Sequence, residues 1–456
     1  MDLSVLKLDD EKLVINLDIP NVDDENKTCD IININLLSEK IDYLLKLREQ
    51  YKLNSATNLD STIEKLEKIF LQNEDSLMKE NKLLYWYKLG QLYSLSSKTK
   101  SKSIEPLSKA VKLDPTLVDV WNELGEGYWH NNEAELAQKC FENALVHERK
   151  KLPLRNLSIV LRKRAIEPKN DKKAYLEKGI ELAKEAVNLD IKDGLSWGIL
   201  GNAYLSVYFG VKQDIKYAKM ALSAYKQAEK LPFAMLNAEL HYNKAFASKY
   251  SEMYEDTLLS LDRSLEIEGT WEPAVRLRTE LLKYLDSVMT LYSNKGKLKP
   301  KRIAAMTKEL ATIQEDPSFR MYAGEILVPF NKLKDGANNR VVVFGKVIWN
   351  LCPEESFPFT FGYIDSFGNT IVVTVYNMTP GRGFIIGDSI KIPDPLVVVT
   401  NFDYKNKKYC FKTIRVDSPA ELIVNKRRLP PAWYTAYTLL TKDKDELDKV
   451  HKGSNF

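Results

Sequence analysis

The side chains best placed to do chemistry in this chain are asparagines, arginines and lysines, and the chemistry they suit is recognition. Asn122 and Glu126 stand four residues apart, so a helix would bring them to one face, and Asn202 falls at the matching phase of a later segment. An asparagine amide both donates and accepts, so it can hold the C=O and N–H of an extended peptide together. The other reading of these positions is a solvated helix face. Glu126 would repel a terminal carboxylate, which disfavours a carboxylate clamp. Arg155 and Arg162, seven residues apart, form a stripe beside Leu154, Leu157 and Leu161. They are either surface charges or a bidentate fork for an acidic side chain. Lys295, Lys297, Lys299, Lys301 and Arg302 make the densest basic run, interrupted by Gly296 and Pro300. Such a run suits salt-sensitive, sequence-blind phosphate contacts on RNA, or it is a solvated linker.

No bond-making constellation accompanies them. H-E-x-x-H and a phosphate loop are absent, and His130, His147, His241 and His451 have no partner cluster in the sequence. The expectation is a non-enzyme without a cofactor. Cys29, Cys140, Cys352 and Cys410 never adopt a C-x-x-C spacing, which argues against a metal site or a disulfide framework. Gly381, Gly383 and Gly387 imitate a dinucleotide loop, but the third glycine is one residue late and the context runs strand to strand.

The elements that must position these residues announce themselves by repetition. The string W-x-x-L-G-x-x-Y occurs at Trp86, Leu89, Gly90, Tyr93, at Trp121, Leu124, Gly125, Tyr128, and at Trp197, Leu200, Gly201, Tyr204. The second copy continues with Ala137, Phe141 and Ala144, the order a tetratricopeptide hairpin uses on its second helix. A weaker repeat runs from His241 through Tyr254, Leu261 and Ser264, and Ala274 to Tyr292 reads as a capping helix. After residue 336 the period turns strand-like over Val341 to Trp349, Phe357 to Asp365, Thr370 to Tyr376, Ser389 to Thr400 and Lys408 to Val416. The expected fold is α + β multidomain: an all-α tetratricopeptide solenoid followed by a C-terminal five-stranded OB-fold β-barrel. The expected partition is an acidic extension at 1–35, a helical array at 36–292, a basic linker and short helix at 293–336, the OB domain at 337–425 and a tail at 426–456. Phe357, Phe359, Phe361 and Tyr363 alternate onto one face. They read as barrel core rather than a base-stacking platform, because cations around them are sparse. A net charge of +4 excludes the global basic field of a dedicated nucleic-acid binder, and no apolar stretch approaches the length of a membrane span.

The strings VWNELGEGYW, RNLSIVLRKR, WGILGNAYLSVYF, FPFTFGYIDS and IGDSIKIPDP, in that order, resemble the tetratricopeptide repeat protein 5 family, also called the stress-responsive coactivator scaffold STRAP. The resemblance covers about residues 85 to 425. It implies one role in reading the nascent N-terminus of tubulin on the ribosome, which triggers decay of tubulin messages. It implies another as a nuclear coactivator scaffold bridging a histone acetyltransferase and the tumour-suppressor transcription factor. Cytoplasm and nucleus are the implied compartments. By the same resemblance the groove arginine falls on Arg162, an acidic groove residue falls near Glu239, and the RNA-contacting lysines fall on Lys299 and Lys301. A further acidic groove position is replaced by Pro273, with Glu272 beside it. A third class, an OB-driven single-strand binder, would need aromatics and cations exposed together on the barrel.

Overall fold

The computed structural model describes residues 33–51, 59–211, 214–232, 234–315, 324–351 and 357–433. Most of the expected acidic extension, Cys29, Cys352, His451 and the tail from residue 434 onward lie outside those residues. Two compact units divide at Ile191/Lys192.

The first unit is helical: α1 (Ile34–Tyr51), α2 (Leu59–Gln72), α3 (Glu74–Ser94), α4 (Ile104–Leu113), α5 (Val118–His130), α6 (Ala134–His147), α7 (Lys151–Arg164) and α8 (Lys172–Leu189). Within α3 the chain kinks at Asn81 (φ −156°, ψ 96°), and the first W-x-x-L-G copy occupies the segment after it. The motif's glycine is a packing requirement. A Cβ at Gly125 would lie 2.6 Å from the Phe141 ring, and one at Gly90 would lie 2.5 Å from Leu107. Any larger residue would therefore pry each helical hairpin open. Trp86 and Trp121 are half-buried against the Leu107, Val111, Val120 and Leu124 cluster. The Trp121 indole donates to the Pro115 carbonyl at 2.7 Å, fixing the turn that enters α5.

The second unit joins helices to a sheet. Its helices are α9 (Gly194–Gly210), α10 (Ile215–Ala228), α11 (Ala238–Tyr250), α12 (Tyr254–Ile267), α13 (Glu272–Ser293) and α14 (Pro300–Glu315). Its strands are β1 (Ile326–Leu327), β2 (Gly336–Ala337), β3 (Val341–Leu351), β4 (Phe359–Ile364), β5 (Thr370–Val375), β6 (Ser389–Pro393), β7 (Leu396–Tyr404), β8 (Lys407–Val416), β9 (Ile423–Val424) and β10 (Arg427–Arg428). The order is β10-β9-β6-β3-β4-β5-β8-β7-β2, with β1 beside β3, and β5 and β8 run parallel. Four of the five expected strand runs form β3, β4, β5 and β8. The fifth breaks at Asp394 (φ 42°) and Pro395 into β6 and β7, because a left-handed residue followed by a residue without an N–H cannot continue one ladder. The barrel is not closed.

Both faces of the central strands β4 and β5 are covered. One carries Phe359, Phe361 and Tyr363 into a core with Phe330, Val373, Phe384 and Ile414. The other packs Trp349, Val372, Phe402 and Phe411 against Tyr254, Leu258, Tyr284 and Leu285 of α12 and α13. Phe357 leaves the expected alternation and stacks on Tyr284, with ring centroids 4.7 Å apart. The segment read as a basic linker is structured: Lys295–Lys297 make a tight turn with Gly296 (φ 67°) against Trp349, and α14 starts at Pro300. Among the described residues no helix is long and apolar enough to cross a membrane.

Candidate peptide-binding site

In the first unit the predicted residues Asn122 and Glu126 meet a third, Asn156 of α7. The Asn122 amide donates to Glu126 Oε1 at 3.0 Å, and the Asn156 amide donates to Asn122 Oδ1 at 3.0 Å and to Glu126 Oε1 at 3.1 Å. Lys100 Nζ lies 3.9 Å from Glu126 Oε2. Asn122 is 2 % exposed and Asn156 is 5 % exposed. The amides of this cluster and the Asn122 carbonyl are thus turned inward. Arg155 is buried, whereas Arg162 is half-buried with its stem over Gly179 of α8, where a Cβ would lie 3.6 Å from Arg162 Cγ.

The second unit repeats the arrangement with a different outcome. Gly201 of α9 faces the ring of Tyr225 on α10, where the earlier hairpin has Phe141. The extra hydroxyl donates to Asn202 Oδ1 at 2.6 Å, and Asn243 Nδ2 of α11 donates to the same oxygen at 3.1 Å. Asn243 Nδ2 also lies 3.5 Å from Glu239 Oε1, in the first turn of α11. Among the described residues, no acceptor takes the Asn202 amide and no donor reaches Asn243 Oδ1. Both side chains are half-buried, so one donor and one acceptor stand side by side and accessible.

Beside this pair runs a ladder of half-buried rings. Trp271 and Tyr242 have centroids 4.9 Å apart, Tyr242 and Phe246 are at 5.4 Å, and Phe246 and Phe209 at 6.4 Å. Their edge-to-face and tilted geometries are those aromatic quadrupoles favour. The neighbouring His241 is buried and its ring N–H donates to the Met235 carbonyl at 3.0 Å. Burial holds its pKa below the ordinary 6.5.

Of the sequence-read residues, the fold brings together Asn122 with Glu126, and separately Asn202 with Glu239 through Asn243. Arg155 and Arg162 share α7. Asn156, Asn243 and Tyr225 escaped sequence reading. Asn243 sits in the weakest repeat, and a tyrosine in a phenylalanine slot looks like ordinary core. Lys295, Lys297, Lys299, Lys301 and Arg302 are all exposed, and among the described residues none pairs with a carboxylate. Lys301 and Arg302 lie in the first turn of α14, which has no acidic residue there, so the helix dipole adds to a positive field.

Comparison with known proteins identifies the family. Residues 326–436 match the family model described as the tetratricopeptide repeat protein 5 OB fold domain. The human tetratricopeptide repeat protein 5 is 36% identical over 404 residues, covering 85% of this chain and 92% of that protein. The mouse protein is 39% identical over 328 residues, covering 70% of this chain and 74% of that protein. Among solved structures, a thermophilic TPR protein of Thermus thermophilus is 16% identical and covers 44% of this chain and 98% of its own, with a TM-score of 0.36. YrrB, a TPR protein with an unusual peptide-binding site, is 19% identical and covers 46% and 97%, with a TM-score of 0.33. Identity that spans both the helical hairpins and the strand-rich domain decides the matter: the chain belongs to the tetratricopeptide repeat protein 5 family.

Proposed function

We propose that this chain is a non-enzymatic scaffold that reads the nascent N-terminus of tubulin at the ribosome and thereby triggers decay of tubulin messages, acting in the cytoplasm and nucleus. The observation that carries this reading is the Asn202–Asn243 pair, whose outward donor and acceptor match the C=O and N–H of one extended peptide unit. The ring ladder beside it offers surface for an apolar side chain, and the family resemblance assigns Arg162, of the first unit, to an acidic one. Glu239 would favour a basic side chain near Asn243. The five exposed cations around the α14 N-terminus suit ribosomal RNA phosphates.

Two experiments test it. A synthetic tubulin N-terminal peptide should bind the full chain, and Arg162→Ala should weaken it by about tenfold, the loss of one charge-assisted contact. Unchanged affinity removes Arg162 from the site. Reversal of Lys299 and Lys301 to Glu should abolish co-sedimentation with translating ribosomes at moderate salt, and intact co-sedimentation would return these lysines to plain surface charge. Capture of a histone acetyltransferase complex with no peptide binding would instead favour the coactivator role. The single-strand-binding alternative is less favoured, because Phe359, Phe361 and Tyr363 are buried in the sheet's core and are not offered as a stacking platform.

A further inference from the structure

The turn between α11 and α12 holds a residue that local preference does not explain. Glu252 has φ 57°, a left-handed conformation that favours glycine or asparagine. The corresponding turn between α5 and α6 uses Asn132 at φ 62°, exposed to solvent. Glu252 is instead 3% exposed, and its carboxylate is wholly buried.

That carboxylate enters a ring of donors supplied entirely by the sheet. Thr374 Oγ1 donates to Oε1 at 2.7 Å, the Tyr376 hydroxyl donates to Oε1 at 3.0 Å, and Thr413 Oγ1 donates to Oε2 at 3.0 Å. Arg415 Nη1 is 3.7 Å from Oε1, and the guanidinium lies over the Tyr376 ring at 4.0 Å. The parallel pairing of β5 with β8 sets Val372 against Thr413 and Thr374 against Arg415, so the strand register brings the donors to one corner. Arg415 is otherwise anchored, through Nε to Asp417 at 2.7 Å and Nη1 to the Tyr250 carbonyl at 2.6 Å, and among the described residues its buried Nη2 has no acceptor within hydrogen-bond geometry. Three hydroxyl donors, a fixed guanidinium and a spare N–H, all removed from water, make a receptor for a planar two-oxygen anion.

We propose that the Thr374–Tyr376–Thr413–Arg415 corner is an oxyanion-binding site of the β-domain whose resident ligand is the chain's own Glu252. The helices α11 and α12 are thus fastened to the sheet as a tethered carboxylate fastens to its receptor. The left-handed strain at Glu252 is offset by the burial of a fully matched anion. A small free carboxylate of the same planar shape should occupy the site once the tethered one is removed.

The test uses the full chain carrying Glu252→Gly, which keeps the left-handed backbone without strain. Its melting temperature should fall by roughly 6 °C or more, as expected when a buried charged pair loses one member. Sodium formate should raise it by several degrees above sodium chloride at equal ionic strength, about the response of a vacant site to a ligand in excess. The wild type should show no such difference. Adding Thr374→Val and Thr413→Val to the glycine variant should erase the formate effect. If the single variant does not refold in chloride, recovery in formate supports the assignment and failure in both contradicts it. Equal responses to formate and chloride, or wild-type stability of Glu252→Gly, would overturn it.

Discussion

The two asparagine clusters are made from nearly the same parts and end in opposite states. On α5 and α7, Asn122 and Asn156 close upon Glu126 and are buried, so their amides stabilise the hairpin stack. On α9 and α11, Asn202 and Asn243 share one oxygen and leave a donor and an acceptor outward. Aligned on Gly125 and Gly201, the hairpins differ at three positions: Asn202 stands where the first has Glu126, Gly198 where it has Asn122, and Tyr225 where it has Phe141. Phe141 opposite Gly125 has no hydroxyl, whereas Tyr225 opposite Gly201 reaches Asn202 and turns its amide outward. The outcome of each cluster therefore depends on which residues fill these positions, the second-helix residue behind the motif glycine among them.

The largest effect that would separate the clusters is on stability. Asn156→Leu should cost about 2–3 kcal/mol in urea unfolding, since it strands the buried Asn122 Oδ1 and removes one donor from Glu126, while Asn243→Leu should cost about 1 kcal/mol or less. Equal costs would mean the second cluster is as closed as the first. Next comes affinity, in the reverse sense. Asn202→Ala should weaken peptide binding about tenfold by calorimetry, near 1.4 kcal/mol, and Asn122→Ala should change it by less than about threefold. Tyr225→Phe should lose about 0.5–1.5 kcal/mol of stability together with part of the affinity, because the hydroxyl orients Asn202 rather than touching the peptide.

The smallest effect is a pH dependence confined to the second cluster. The fold favours neutral His241, so its contribution is complete above the ordinary pKa of 6.5 and declines as pH falls through and below that value. The wild type should therefore lose more stability between pH 7 and pH 5 than His241→Gln does, by no more than about 1 kcal/mol. Identical pH profiles would show that His241 is not the titrating group.

Much of the fold was legible because its signals are local. Trp86, Trp121 and Trp197 with their glycines mark hairpins through helical spacing alone, and the change of period after residue 336 marks the sheet. Two-sided burial was less legible. Every residue of β4 is buried, so the Phe359–Tyr363 alternation separates two packed faces, not core from solvent. The break at Asp394 and Pro395 was readable in principle, since proline marks a ladder's end. Asn243, Glu252 and Arg415 were not readable, because each acquires its role from partners distant in sequence, and no spacing rule links Glu252 to Thr374 or Thr413.

The central claim is that Asn202 and Asn243 hold a peptide by its backbone, and a thermodynamic cycle tests it most directly. Tubulin N-terminal peptides carrying one backbone ester, which lacks a single N–H, would be titrated against the wild type and Asn243→Ala. For one ester position the account expects the two changes to be coupled by about 1 kcal/mol, the worth of the hydrogen bond they share. Strict additivity at every position would contradict it.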